Sequence, residues 1–271
     1  EVGVGELRRA AAPFFGLSIV DVLLQRADIL LLSIVGGETA TGIYSAAYNL
    51  VRVLVKLVQS YWQAVYPTLS RLRSQADGKY AALAALSLRY GLMLLLPAAA
   101  LSTSVAGELI RLIYAERYAQ AAPALRVLVW GAPAFFVEMY AVTLLMVEKR
   151  PRRALAVMGL NLGALMLLLP LLALFYGASG AAWASLSAAG LGASAGLVAL
   201  RRQRVNAPFA PIGLLALATI AAGALSGLLP GMWAVRLVAG VSLYLALIWL
   251  TGALSPADVN LFRQVLRGNA K

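Results

Sequence analysis

Neither cysteine nor histidine occurs in this chain of 271 residues. The first absence removes disulfides and thiolate nucleophiles, and the two together remove Cys/His zinc sites. Without histidine, the side chain best suited to passing protons near neutral pH is missing too. Charge is also scarce: 13% of residues are charged, with 11 acids against 23 Lys and Arg. So few charges, at a mean hydropathy of +0.83, do not cover a soluble surface. No constellation for catalysis stands out, so the expectation is a protein that is not an enzyme and needs no metal and no cofactor.

Apolar sequence is what the chain has in quantity, at 62%. A hydrocarbon core of ~30 Å takes roughly 20 mostly apolar residues per helix. Runs of that kind lie at about 12–36, 41–67, 81–106, 120–147, 154–176, 179–200, 210–229 and 234–254. The expected fold class is therefore all-α, a polytopic transmembrane helix bundle of about eight spans. Ser255 to Arg267 follows as an amphipathic interfacial tail, with Ser255 as N-cap and Pro256 at the first helical position.

The net charge of +12 and pI near 10.4 could suggest nucleic acid. The cations, however, are spread over alternate loops. Arg111, Arg117 and Arg236 fall on one side of the expected bundle, and Arg26, Arg52, Lys56, Arg89 and Arg126 fall inside spans. All other Lys and Arg fall on the opposite side. By the positive-inside rule that side is cytoplasmic, together with both termini, and nucleic-acid binding is not expected. Arg89 and Arg126 lie near span ends, where they can snorkel.

Small residues at four-residue spacing, Gly159 with Gly163, Gly192 with Gly196 and Gly223 with Gly227, allow close helix packing within the chain. Pro97, Pro133 and Pro170 sit inside apolar runs and favour kinks.

The second span differs from the rest. Ser45, Asn49, Arg52, Lys56, Gln59 and Gln63 recur at spacings of three and four, which places them on one helix face. At 1.5 Å per residue this stripe is about 27 Å long, nearly the thickness of the core. A cation at such depth costs at least ~2.5 kcal/mol. Two on one face need water, counter-ions or a ligand. In the first span Ser18, Asp21, Gln25 and Asp28 form a second stripe with Arg26 offset by one residue, and Glu138 adds an acid in the fourth span.

Two readings follow. In one, Asp21 and Asp28 pair with Arg26, Arg52 and Lys56 to pin helix register. In the other, the same helices wall a hydrated cavity whose surplus cations receive an anion. The second is preferred, since register pinning needs no polar stripe across both leaflets.

RADILLLSIVGGETATGIYSAAYNLVRVL (Arg26 to Leu54), YPTLSRL (Tyr66 to Leu72), ELIRLIYAERYAQAAPALRVL (Glu108 to Leu128) and YGASGAAWASL (Tyr176 to Leu186) follow in that order. They resemble the second half of bacterial polysaccharide flippases, of the O-antigen type. That family lies in the superfamily of multidrug, oligosaccharidyl-lipid and polysaccharide exporters. The resemblance runs from about Arg8 to Arg201. It implies a second six-helix bundle over 1–204, then two further helices and the interfacial helix over 205–271, with a first bundle of the same protein missing from the chain. It also implies flipping of lipid-linked oligosaccharide across the bacterial inner membrane by alternating access, with membrane lipids and an anionic polyprenyl phosphate or pyrophosphate sugar as partners. Within it, Arg52 and Lys56 are expected to hold the phosphate. Arg26, Asn49, Gln59 and Gln63 assist, and Asp21, Asp28 and Glu138 serve as coupling or counter-ion groups.

Two alternatives remain: a related exporter of another substrate, and a non-transporting partner subunit of a polysaccharide synthase. A membrane glycosyltransferase or ligase is disfavoured, because the outer loops offer only Glu38, Glu108 and Glu116 as acids.

Overall fold

The computed structural model describes residues 4–74, 78–202, 219, 223 and 233–250. The helices in chain order are α1 (Val4–Leu24), α2 (Ala27–Val35), α3 (Gly37–Arg73), α4 (Lys79–Ser104), α5 (Ala106–Tyr114), a 3₁₀ turn (Glu116–Ala121), α6 (Ala122–Leu128), α7 (Gly131–Val147), α8 (Pro151–Arg201) and α9 (Trp233–Leu250). No strand occurs among the described residues. The fold class is thus an all-helical membrane bundle.

The chain forms two compact units. One comprises 1–71 and 106–205, the other 72–105 and 206–271. In the first, α8 runs beside α1, α2, α6 and α7. In the second, α4 and α9 pack together, and the Tyr244 hydroxyl donates to the Met93 carbonyl at 2.7 Å.

Three helical stretches among the described residues are long and apolar enough to cross a membrane: Lys79–Ser104, Glu116–Val147 and Pro151–Arg201. α3 has the length, at 37 residues and therefore about 55 Å, but its polar residues lower its hydropathy. α8 holds the two expected spans 154–176 and 179–200. They are separated at Gly177, whose φ of +54° and ψ of −132° suit only glycine. The backbone folds back there so closely that a side chain on Gly180 would strike the Leu172 carbonyl.

Two expectations need correction, the unbroken span at 12–36 and the kink at Pro133. The span expected at 12–36 is not one helix: α1 ends at Leu24 and α2 begins at Ala27, with Arg26 at φ −138°, ψ −14° between them. The span expected at 120–147 falls within the crossing stretch Glu116–Val147, which opens with the 3₁₀ turn and tightens again at Val129 and Trp130, where the Trp130 N–H bonds the Val127 carbonyl at 3.2 Å. Pro133 consequently lies in the first turn of α7, where a missing N–H is tolerated, and not in mid-helix. The expected tail 255–267, and all of span 210–229 except 219 and 223, lie outside the described residues.

Candidate functional site

α3 owes its position to a second periodicity beside the polar one. Tyr44, Ala47, Val51, Val58, Trp62 and Leu69 recur at three, four and seven residues and are all buried. Trp62 sits with Phe136 and Tyr140 of α7 at ring-centroid distances of 5.1 and 5.7 Å. The polar stripe is displaced by one residue, about 100° round the helix, and so flanks this contact. Asn49, Arg52, Lys56 and Gln63 are exposed, while Ser45 and Gln59 are half-buried.

Lys56 reaches toward α1. Its Nζ donates to Gln59 Oε1 at 3.0 Å and to Gln25 Oε1 at 3.4 Å, and Gln25 Nε2 donates to Asp21 Oδ2 at 2.9 Å. A groove of about 660 Å³ runs along these groups, with Ser18 and Gln63 also on its wall. It continues past Asp21, Gln25 and Gln59 into a smaller cavity of about 110 Å³ beside Asp28, Tyr48 and Ser185.

Asp28 is the buried acid of the break, 3% exposed. Its Oδ1 accepts the Ile29 N–H at 2.8 Å, occupying a donor that the first turn of α2 leaves unpaired. Its Oδ2 accepts the Tyr44 hydroxyl at 2.8 Å, and that hydroxyl stands 2.9 Å from Ser185 Oγ on α8. Ion pairing as a register device is therefore not what holds these helices. Among the described residues, Arg26, Arg52 and Lys56 form no ion pair with Asp21 or Asp28, and Arg26 and Arg52 stay exposed outside both cavities.

Against this geometry, residues 3–123 match the model of a family described as polysaccharide biosynthesis protein. That match covers less than half of the chain. The chain is also similar in fold to a solved structure, the lipid II flippase MurJ in an inward closed conformation. The TM-score is 0.76 at 14% identity, over 93% of this chain and 56% of the other. The chain thus spans little more than half the length of that relative. No curated protein matches.

Glu138 lines neither opening, but its partner Asn161 lines the smaller cavity. The Glu138 carboxylate is 1% exposed, accepts Asn161 Nδ2 at 2.6 Å on Oε2, and has no hydrogen-bond partner on Oε1. It lies against Gly192, where a β-carbon would come within 2.9 Å of the carboxyl atoms. Gly196 is likewise pressed against Ala141, so this glycine pair serves packing of α7 on α8, whereas Gly159 and Gly163 face open space.

Three residues of the site carry no mark in the sequence pattern singled out above: Tyr44, Ser185 and Asn161, while Gly192, expected to pack helices, proves to lie against Glu138. An amide in mid-span was a visible signal for Asn161. Tyr44 and Ser185 had none, since they resemble ordinary buried helix residues.

Proposed function

We propose that this chain forms one wall of a transporter that flips lipid-linked oligosaccharide or polysaccharide precursors across a membrane. The observation that carries the reading is the face of α3. Asn49, Arg52, Lys56 and Gln63 are exposed and the two cations lack acidic partners, on a helix whose adjoining face is buried through Tyr44, Val51, Val58 and Trp62. Cations without counter-ions at membrane depth require water or an anion, and a lipid-linked sugar carries phosphate. In this reading Lys56 meets the phosphate in the groove. Arg52 and Arg26 add positive potential from the open side, and Asn49, Gln59 and Gln63 hydrogen-bond sugar hydroxyls.

Val53 and Leu57 are exposed next to the cations, so the open face mixes apolar and charged groups. Such a face suits a site enclosed by a second bundle, rocking against this one in alternating access. Residues 1–204 then act as the bundle beside the substrate, and 205–271 as an accessory segment. Asp21 stands one hydrogen bond beyond Lys56, through Gln25, and serves as the coupling group, and the membrane is the bacterial inner membrane.

The test is complementation of a surface-polysaccharide defect by the complete transporter. The variant Arg52→Ala/Lys56→Ala is expected to abolish export at unchanged membrane abundance. Export at the unsubstituted level overturns the assignment.

A further inference from the structure

The segment MVEKRPRR, Met146 to Arg153, joins α7 to α8. α7 ends in a tight cap: the Arg150 N–H bonds the Leu145 carbonyl at 2.9 Å and the Lys149 N–H bonds the Met146 carbonyl at 3.0 Å. That pattern places Lys149 in the left-handed region, at φ +55°, which glycine adopts freely and lysine does not. Arg152 and Arg153 then occupy the first turn of α8, where the helix dipole disfavours cations. Local structure gives no reason for this choice of residues. The positive-inside rule asks for cations on this side of the membrane, but not for their assembly round one opening.

They are so assembled. Lys149, Arg150, Arg152 and Arg153 line a cavity of about 730 Å³ that is walled on its other side by Phe14 of α1 and Tyr66 of α3. No acid lines it, and among the described residues the four cations make no ion pair. Tyr66 and Met146 also line the groove of Lys56, so the two openings adjoin. Four cations beside exposed aromatic surface, at the end of an apolar bundle, match an anion that is itself attached to hydrocarbon.

We propose that the α7–α8 turn is a binding site for a lipid-borne phosphate or diphosphate. The Lys149, Arg150, Arg152 and Arg153 side chains hold the anion, and Phe14 and Tyr66 flank the first carbons of the lipid. The site adjoins the groove of Lys56 but uses a different set of cations, and its occupancy does not depend on transport.

Native mass spectrometry of the detergent-solubilised chain tests this with three probes: farnesyl diphosphate, phosphatidylglycerol and inorganic pyrophosphate. The wild-type chain is expected to bind at least one of the two lipids tenfold or more tightly than inorganic pyrophosphate. The variant Arg152→Gln/Arg153→Gln should weaken that lipid at least tenfold, and removal of cations from the start of a helix does not endanger folding. The control Arg111→Gln/Arg117→Gln removes the same charge from α5 and the 3₁₀ turn, which contribute nothing to the lining of this cavity, and should change binding less than threefold. Tighter binding of farnesyl diphosphate assigns the site to a prenyl carrier, and tighter binding of phosphatidylglycerol to a bilayer headgroup. Both outcomes support a lipid-borne phosphate. Equal losses in the two variants, no loss in the first, or pyrophosphate binding as tightly as the lipids overturns the proposal. Failure of the Arg52 and Lys56 assignment in complementation leaves this result untouched, and the converse holds.

Discussion

The hydroxyl of Tyr44 on α3 donates to the carboxylate of Asp28 on α2 at 2.8 Å, in a place where Asp28 is 3% exposed. This bond crosses from the helix that carries the polar stripe to the break between α1 and α2. It therefore ties the two walls of the groove together. Leaving a buried acceptor without its donor costs about 1–3 kcal/mol. Tyr44→Phe should lower the thermal unfolding midpoint of the purified chain, and Tyr48→Phe, for which no such bond is present, should lower it less. Equal midpoints for both variants would remove the pairing from the account.

Glu138 and Gly192 are predicted to be coupled. A β-carbon at 192 would come within 2.9 Å of the Glu138 carboxyl group, and overpacking of that kind costs roughly 1–3 kcal/mol. Glu138→Ala removes the obstacle but strands Asn161 Nδ2. The double variant Glu138→Ala/Gly192→Ala should lose less stability than the two single variants added together. Strict additivity in thermal melts counts against the contact.

Gly177 and Gly159 lie on the same long helical stretch and should respond in opposite ways. Gly177 has φ +54° and ψ −132°, so alanine there is strained by about 1–3 kcal/mol. Gly159 is helical with nothing within 4 Å of a new β-carbon, and alanine there should be neutral or stabilising by up to ~1 kcal/mol. Melting of the two variants in parallel is the measurement. A more stable Gly177→Ala would mean that the chain does not turn at this residue.

The side of α3 that meets water can be mapped by single cysteines, because the chain has none of its own. Cysteines replacing Lys56 and Gln63, both exposed, should react with a membrane-impermeant maleimide. Those replacing Val58 and Trp62, both buried, should not. In a synthase partner subunit the stripe would be sealed against another protein, so protection at 56 and 63 in native membranes favours that reading over a transporter.

The apolar runs, the excess of cations in alternate loops and the polar face of α3 could all be read before any fold was known. The spans expected at 81–106, 154–176 and 179–200 coincide with α4 and the two halves of α8. These features are local: an apolar run must be long enough to cross, and a face is set by the 3.6-residue turn alone. The exposure of Lys56 and the burial of Tyr44 on adjoining faces follow from the same periodicity.

Which acid meets which partner was not written in any periodicity. Asp28 stands two positions after Arg26, yet its side chain bonds Tyr44, and Tyr44 in turn meets Ser185, 141 residues further on. The break at Gln25 and Arg26 likewise needs the backbone, because Asp21, Gln25 and Asp28 fit one face of a continuous helix and the run from Asp21 to Asp28 includes no Pro or Gly to end it. Glu138 finds Asn161 and Gly192 only because α7 lies on α8. Sequence determined that this chain is helical, enters the membrane and carries cations on one face of α3. Tertiary packing alone decided their partners, because a hydrogen bond depends on distances of a few ångströms between segments that sequence spacing does not relate.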